Sequence, residues 1–274
     1  MHTISPIPTT ILPPAVAARF AEARAAGMDI QEYLTDLQVT AWNNRIGDLQ
    51  HYDCPLCKNR GDIAYKTDGG LFALRQCSCI VQRRAYARAI KSGMADLLDK
   101  TFGGFEVKNE TQRKLHKTGT DYWQAIKAGD RKWMCLLGQS GCGKTHICSA
   151  IVNNLIKAGY DCRYMMWTHE IGELKRSATE REQYNAMYNE LLNAPVLYID
   201  DLFKGAVTVA DKRITFDIIN YRANSRLITL VSSELYLREI AQVDSAIAGR
   251  LNEMAKPFVT EIYRDENKNY RLRG

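Results

Sequence analysis

Residues 138–146 read GQSGCGKTH. Gly138, Gly143, Lys144 and Thr145 satisfy the pattern G-x-x-x-x-G-K-S/T. An apolar run, KWMCLLG, leads into this loop and a helix-forming run, THICSAIVNNLIKAG, leaves it. A strand before and a helix after are the context that separates a phosphate-binding loop from a chance match. The glycines let the backbone wrap so that its N–H groups point inward, and the helix start adds partial positive charge. The stretch Gly138, Gln139, Ser140, Gly141, Cys142, Gly143, Lys144, Thr145 and His146 is therefore the expected cradle for the phosphates of a nucleotide. Lys144 is placed to reach the β- and γ-phosphates, and the Thr145 hydroxyl to ligate Mg²⁺.

Further along, VLYIDDL runs apolar residues into Asp200 and Asp201. A strand with buried sides and acids at its carboxyl end suits a magnesium site beside a phosphate loop. Asp200 is the expected metal-side acid, and Asp201 the residue that orients or deprotonates an attacking water. The plainer alternative is two acids in a strand-end turn. A third stretch, LITLVSSEL (227–235), ends an apolar strand in polar residues. Ser232 or Ser233, with Ser233 preferred, could touch the γ-phosphate or the water. It could also be a strand end followed by a helix cap, with Glu234 in the first turn. In AIAGRLNEM (246–254), Arg250 is either a surface residue or, in a head-to-tail assembly, an arginine finger aimed at a neighbour's γ-phosphate. Arg271 and Arg273 in NKNYRLRG could approach the nucleotide from a lid or stay in solvent.

The eight cysteines fall into two groups. Cys135, Cys142, Cys148 and Cys162 are scattered around the phosphate loop. Cys54, Cys57, Cys77 and Cys79 form C-x2-C, nineteen residues, then C-x-C. A C-x2-C turn offers two thiolates to one tetrahedral ion, and a second pair on a return strand closes the shell. A structural Zn²⁺ site is the expectation, serving folding because no coordination position stays open. Metal-free thiols or an iron–sulfur centre are the alternatives.

The elements that must position these groups follow from the patterning. The Pro-rich first residues read as irregular, and a helix is predicted from Pro14 to about Ala26, ended by Gly27. DIQEYLTDLQVTAWNNRI predicts a second, amphipathic helix, with Ile30, Tyr33, Leu34 and Leu37 on one face. From residue 111 onward, helices alternate with the strands KWMCLLG, DCRYMMWT, PVLYIDDL and LITLVSS. That alternation predicts an α/β fold with a parallel sheet flanked by helices. The domain reading is an N-terminal helical segment over 1–50, a zinc-binding module over 51–85, a basic linker over 86–110 and a nucleotide-binding domain over 111–274.

The formal charge is +6, and it is unevenly spread: residues 81–134 hold 12 Lys and Arg against 6 Asp and Glu. One basic segment, with Arg83, Arg84, Arg88 and Lys91, thus carries the surplus. It reads either as a phosphate-backbone contact or as a solvated helix face. Tyr86, Phe102 and Phe105 near it are either packing residues or base-stacking platforms. No apolar run approaches a membrane span, and the N-terminus lacks the pattern of a secretory signal, so no membrane partner and a cytoplasmic location are expected.

The order of phosphate loop, YIDDL, LVSSE and GRLNEM resembles AAA+ ATPases of the bacterial and phage replicative helicase loader group (DnaC/DnaI type). The IstB-type transposition helper ATPases are close cousins. IDDLFKG and SSELYLREI narrow the likeness, which runs from about residue 95 to the end. The resemblance implies Mg²⁺-dependent ATP hydrolysis. It implies ATP over GTP, in keeping with the lack of a guanine-reading N-K-x-D stretch. It also implies a hexameric replicative helicase and single-stranded DNA as partners, homo-oligomers on DNA or helicase, and an N-terminal zinc-containing domain that binds the helicase. Asp201 stands where many relatives have Glu, and SSE stands where the family often has Asn, which leaves the sensor residue open. The alternatives are a transposition helper that assembles on duplex DNA and recruits a transposase, and a nucleotide-dependent switch that hydrolyses little. The form of these motifs leans toward a phage or prophage source.

Overall fold

The computed structural model describes residues 29–50 and 52–265, together with Ala18, Ala21, Ala25 and Gly27. Ala18, Ala21 and Ala25 are helical, as the sequence predicts, and the rest of the helix expected from Pro14 lies outside the described residues. The chain divides into two compact units, Met1–Ile80 and Val81–Gly274.

In the first unit, a helix packs against a hairpin. Helix α1 (Ile30–Asn44) starts where the Asp29 carboxylate accepts from the N–H groups of Gln31 and Glu32 at 2.8 and 3.1 Å, satisfying donors that have no partner within the helix. Strands β1 (Asp62–Lys66) and β2 (Phe72–Gln76) pair antiparallel, with Ala64 opposite Leu74. Polar side chains stitch α1 to this hairpin. Asn43 exchanges two hydrogen bonds with the Ala64 backbone, at 2.9 and 3.0 Å. Trp42 Nε1 donates to Asp62 at 3.1 Å, and Lys66 reaches both Glu32 and Asp36.

The second unit follows helix α2 (Cys79–Ala89) and helix α3 (Glu110–Lys127) with the expected alternation. Its elements are β3 (Met134–Gly138), α4 (Lys144–Lys157), β4 (Cys162–Met166), α5 (Trp167–Arg176), α6 (Arg181–Asn193) and β5 (Val196–Asp200). There follow α7 (Val209–Asn224), β6 (Ile228–Ser233), α8 (Leu237–Val243), α9 (Ser245–Ala255) and β7 (Val259–Ile262). The five strands are all parallel, in the order β4-β5-β6-β3-β7. Strand side chains alternate between two apolar layers. Met134 and Leu136 pack with Leu115, Tyr122, Ile147 and Ile151 on one side. Cys135 and Leu137 pack with Ile171, Ile218, Ile247 and Leu251 on the other. Burial on both faces explains why β3 reads as an unbroken apolar run. Among the described residues, no helix is long and apolar enough to cross a membrane.

Three features depart from the sequence reading. β7 was not expected: VTEI is short and half polar, and it becomes a strand because it pairs with β3. The helix expected between the strands DCRYMMWT and PVLYIDDL is broken at Ser177–Thr179, where Ser177 and Thr179, of lower helix propensity, flank Ala178, and α6 restarts at Arg181. The expected basic linker over 86–110 is instead part of the second unit's core. Ala89, Met94 and Phe105 are buried there with Leu115, Ile147 and Leu155, and Tyr86, Leu97 and Phe102 pack against them. Ala85 and Ala89 recur at i, i+4, which turns the apolar face of α2 inward and leaves Arg84 and Arg88 exposed. Tyr86, Phe102 and Phe105 are therefore packing residues.

One buried cation fixes the entry to β5. Arg222 on α7 has no solvent exposure. Its guanidinium donates to the carbonyls of Leu191, Leu192, Ala194 and Ile228 and to the Thr229 hydroxyl. It closes the last turn of α6, whose final carbonyls lack partners within the helix. Burial lowers the pKa of Arg222 to about 9.

Candidate functional site

The phosphate loop turns where only glycine fits. Gly138 ends β3 at φ 96°, and a Cβ there would lie 2.2 Å from the Ile262 carbonyl of β7. Gly143 has φ 103°, and its Cβ would lie 2.5 Å from the Phe105 ring. The neighbours that enforce these glycines, β7 and Phe105, are two features that the sequence did not announce. Helix α4 begins at Lys144, directly after the loop.

Lys144 is 6% exposed, and its Nζ donates back into the loop, to the carbonyls of Gly138 at 2.8 Å and Gln139 at 2.6 Å. Burial lowers its pKa, against the opposing pull of Cys142, Glu234, Asp201 and Asp200. His146 Nε2 meets the Thr101 carbonyl at 2.8 Å, and its ring sits edge-on to Phe105.

Asp200 ends β5, also 6% exposed, inside a ring of hydroxyls. Tyr198 donates to Oδ1 at 2.6 Å, Thr145 Oγ1 lies 3.4 Å from the same oxygen, and Ser232 donates there too. Tyr164 donates to Oδ2 at 3.0 Å. Four elements thus converge on one carboxylate: α4, β4, β5 and β6. Burial pushes the phenols of Tyr164 and Tyr198 up, so they remain donors. The sequence reading missed both tyrosines. Tyr198 was recoverable, since it lies two residues before Asp200 on the same strand face. Tyr164 was not, because its place depends on β4–β5 register, Tyr164 opposite Tyr198.

The SSE stretch divides its labour by strand alternation. Ser232 donates to Asp200 and accepts from the Asp201 N–H at 3.2 Å. Ser233, the preferred sensor in the sequence reading, faces the other way. It is fully buried, donates to the Leu202 carbonyl at 2.7 Å and accepts from Leu235 N at 3.1 Å. Ser233 holds the turn after β5 and does not line the phosphate-loop cavity. Glu234 does. That cavity has a volume of about 260 Å³ and is bounded by Ser140, Gly141, Lys144, Thr145, Asp201 and Glu234, with Leu97 and Lys100 at its side. The Glu234 carboxyl is raised by burial but held below the usual range overall by the Ser140 hydrogen bond and by Lys204.

Three arginines complete the inventory. Arg250 lies on α9, pairs with Glu253 at 3.1 Å and does not line this cavity. Arg271 lies outside the described residues, as does Arg273. A larger cavity, about 540 Å³, lies where β4 and β5 begin, lined by Arg88, Lys91, Arg163 and Glu190 among others. It faces the amino ends of the strands. Open parallel sheets bind ligands at the carboxyl ends, which is where the smaller cavity lies.

In the first unit, Cys54, Cys57, Cys77 and Cys79 are buried, free thiols whose sulfurs all lie within 4.8 Å of one another. The Cys54–Cys77 and Cys57–Cys79 sulfurs are 3.7 and 3.5 Å apart. A tetrahedral ion with metal–sulfur bonds of about 2.3 Å spaces its sulfurs roughly 3.8 Å apart, so the donor set fits a four-thiolate metal. The Gly61 N–H also donates to Cys57 Sγ at 3.3 Å. Burial raises the Cys57 thiol, but this donor and the neighbouring cysteines outweigh it and bring its pKa to about 7.

A parallel sheet with a glycine phosphate loop after β3 and a hydroxyl-ringed acid at the end of β5, two strands away, is the arrangement of a P-loop ATPase. The chain belongs to the family of IstB-like ATP binding proteins, whose model matches residues 86–253. It is 30% identical to the phage-like element PBSX protein XkdC of Bacillus subtilis, over 83% of this chain and 89% of that protein. It is 26% identical to the replicative helicase loader DnaI of the same organism, over 70% of this chain and 56% of that protein. Among solved structures, the DnaC helicase loader superposes with a TM-score of 0.54 at 22% identity, covering 61% of this chain and 99% of that one. That last likeness is one of fold.

Proposed function

We propose that this protein loads a replicative DNA helicase onto DNA at the expense of ATP. The observation that carries the reading is the joining of an AAA+ ATPase to a preceding four-thiol unit, in a chain related to a named helicase loader. The transposition helper alternative is kept because the matching family model is IstB-like.

On this reading the phosphate loop, Gly138 to His146, binds the ATP phosphates through its N–H groups, and Lys144 turns from the loop carbonyls to the β- and γ-phosphates. Thr145 and Asp200 hold Mg²⁺, which supplies charge neutralisation on the phosphate oxygens when bound. Tyr164, Tyr198 and Ser232 keep Asp200 in one orientation. Asp201 orients the attacking water and takes its proton. Arg250, distant from its own cavity, serves a neighbouring subunit's nucleotide in a homo-oligomer. Cys54, Cys57, Cys77 and Cys79 hold Zn²⁺ and fold the first unit, which grips the hexameric helicase. The second unit contacts single-stranded DNA, with the exposed basic face of α2 available to phosphates. Eight free thiols fit a reducing, cytoplasmic setting.

Mg²⁺-dependent ATP turnover, measured with added components, separates the two readings. Stimulation by a hexameric helicase with single-stranded DNA supports the loader. Stimulation by duplex DNA alone, with no response to helicase, moves the assignment to the transposition helper.

A further inference from the structure

The turn after β5 folds a lysine back onto the two acids that face the phosphate loop. Lys204 Nζ lies 2.8 Å from Asp201 Oδ2 and 3.3 Å from Glu234 Oε1. Both carboxylates line the phosphate-loop cavity, and Glu234 is hydrogen-bonded to the Ser140 side chain of the loop itself.

The backbone that places Lys204 is unusual. Asp201 and Phe203 both have positive φ, 55° and 59°, and Gly205 follows at 86°. Positive φ is uncommon for non-glycine residues and costs free energy wherever it persists. Here β6 over-determines it. Leu202 N donates to the Ser232 carbonyl at 2.9 Å, Ser233 Oγ donates to the Leu202 carbonyl, and Asp201 N donates to Ser232 Oγ. The visible result of this pinned turn is that an ammonium is returned over the acid that begins it.

Two carboxylates beside a polyphosphate repel it. A diphosphate can be held by the loop amides and Lys144 alone. A triphosphate brings another, doubly charged group toward the side of the cavity where Asp201 and Glu234 stand. We infer that Lys204 is a specificity-determining residue: by bridging Asp201 and Glu234 and offsetting one of their two negative charges, it lets the site accept a nucleoside triphosphate in preference to a diphosphate. This rests on the reading of the cavity as an ATP site. The ammonium also holds Asp201 through its Oδ2.

The test is calorimetric titration of the full-length protein with ADP and with a non-hydrolysable ATP analogue, each with Mg²⁺. Lys204→Met is expected to weaken the ATP analogue about tenfold while leaving ADP within about twofold of wild type, the size expected of a charge pair at a half-exposed site. Retained ADP binding reports that the variant is folded. Adding Glu234→Gln to Lys204→Met removes one of the two uncompensated charges, restores the wild-type net charge of the trio and is expected to recover most of the lost affinity. Lys204→Arg keeps the preference. The inference is overturned if Lys204→Met binds both nucleotides as wild type does, if it weakens both equally, or if the double variant recovers nothing. Wild-type protein that binds neither nucleotide overturns the ATP reading of the site, and this inference with it.

Discussion

The two units of the chain are held together by different physics. The second packs two apolar layers against a five-stranded sheet, with Leu136, Ile151, Leu197 and Leu251 among many side chains removed from water. Each such side chain contributes roughly 1.5–3 kcal/mol by burial. Among the described residues of the first unit, the buried cluster is four cysteines with Tyr52 and Ile63 packed against it, while Ile46, Leu56 and Leu71 are exposed. A buried cluster this small supplies little folding free energy. Its polar stitching between α1 and the hairpin locates the pieces, and a metal on the thiols would supply the missing free energy. The comparison teaches that the phosphate loop sits on the unit with a large apolar core, while the four thiols belong to a unit with little apolar core of its own.

The largest effect expected from breaking this comparison is the loss of metal. Chelation, or Cys54→Ser with Cys57→Ser, should unfold the first unit, since structural zinc contributes on the order of 10 kcal/mol to folds of this kind. Near-ultraviolet circular dichroism and zinc content would show that loss, while ADP binding by the second unit persists. Loss of nucleotide binding on chelation would mean that the two units do not differ in this way.

Next in size is Lys144→Ala, expected to reduce ATP turnover by at least about a hundredfold, because a buried charge aimed at the phosphates is removed. Single-turnover hydrolysis measures it. The buried cation Arg222 comes after. Arg222→Met strands four carbonyls and a hydroxyl, and chemical denaturation should show a loss of about 3 kcal/mol or more, confined to the second unit's transition.

The smallest effects sharpen the picture inside the site. Tyr198→Phe and Tyr164→Phe each remove one hydroxyl from Asp200, with an expected loss of about 1 kcal/mol in stability and a raised Mg²⁺ requirement for hydrolysis. Ser232→Ala should behave likewise. Ser233→Ala should cost similar stability and leave the Mg²⁺ requirement unchanged, because Ser233 holds the Leu202 turn and not the acid. Equal Mg²⁺ responses from the two serines would contradict the division that strand alternation makes between them.

What could be read beforehand was local in the chain. The phosphate loop, the acidic pair and the C-x2-C turn each keep their chemistry within a few residues, so spacing alone exposed them. The parallel sheet followed from alternation over longer windows. What escaped was everything set by neighbours distant in sequence. β7 becomes a strand only through pairing with β3. Phe105 looked like linker because the glycine it covers lies 38 positions away, at Gly143. Ser233 and Glu234 could not be assigned without knowing which face of β6 meets β5. Lys204 carries no local signal in the sequence; the positive-φ turn is what returns it over Asp201.

The most direct measurement of the central claim is size-exclusion co-elution of the full-length protein with its host's hexameric replicative helicase, with ATP and Mg²⁺ present, for the wild type and for Cys54→Ser with Cys57→Ser. The account predicts a stable complex with the wild type, and a variant that still binds nucleotide but no longer travels with the helicase. A variant that co-elutes as the wild type does, or a wild type that ignores the helicase and binds duplex DNA tightly, would contradict it.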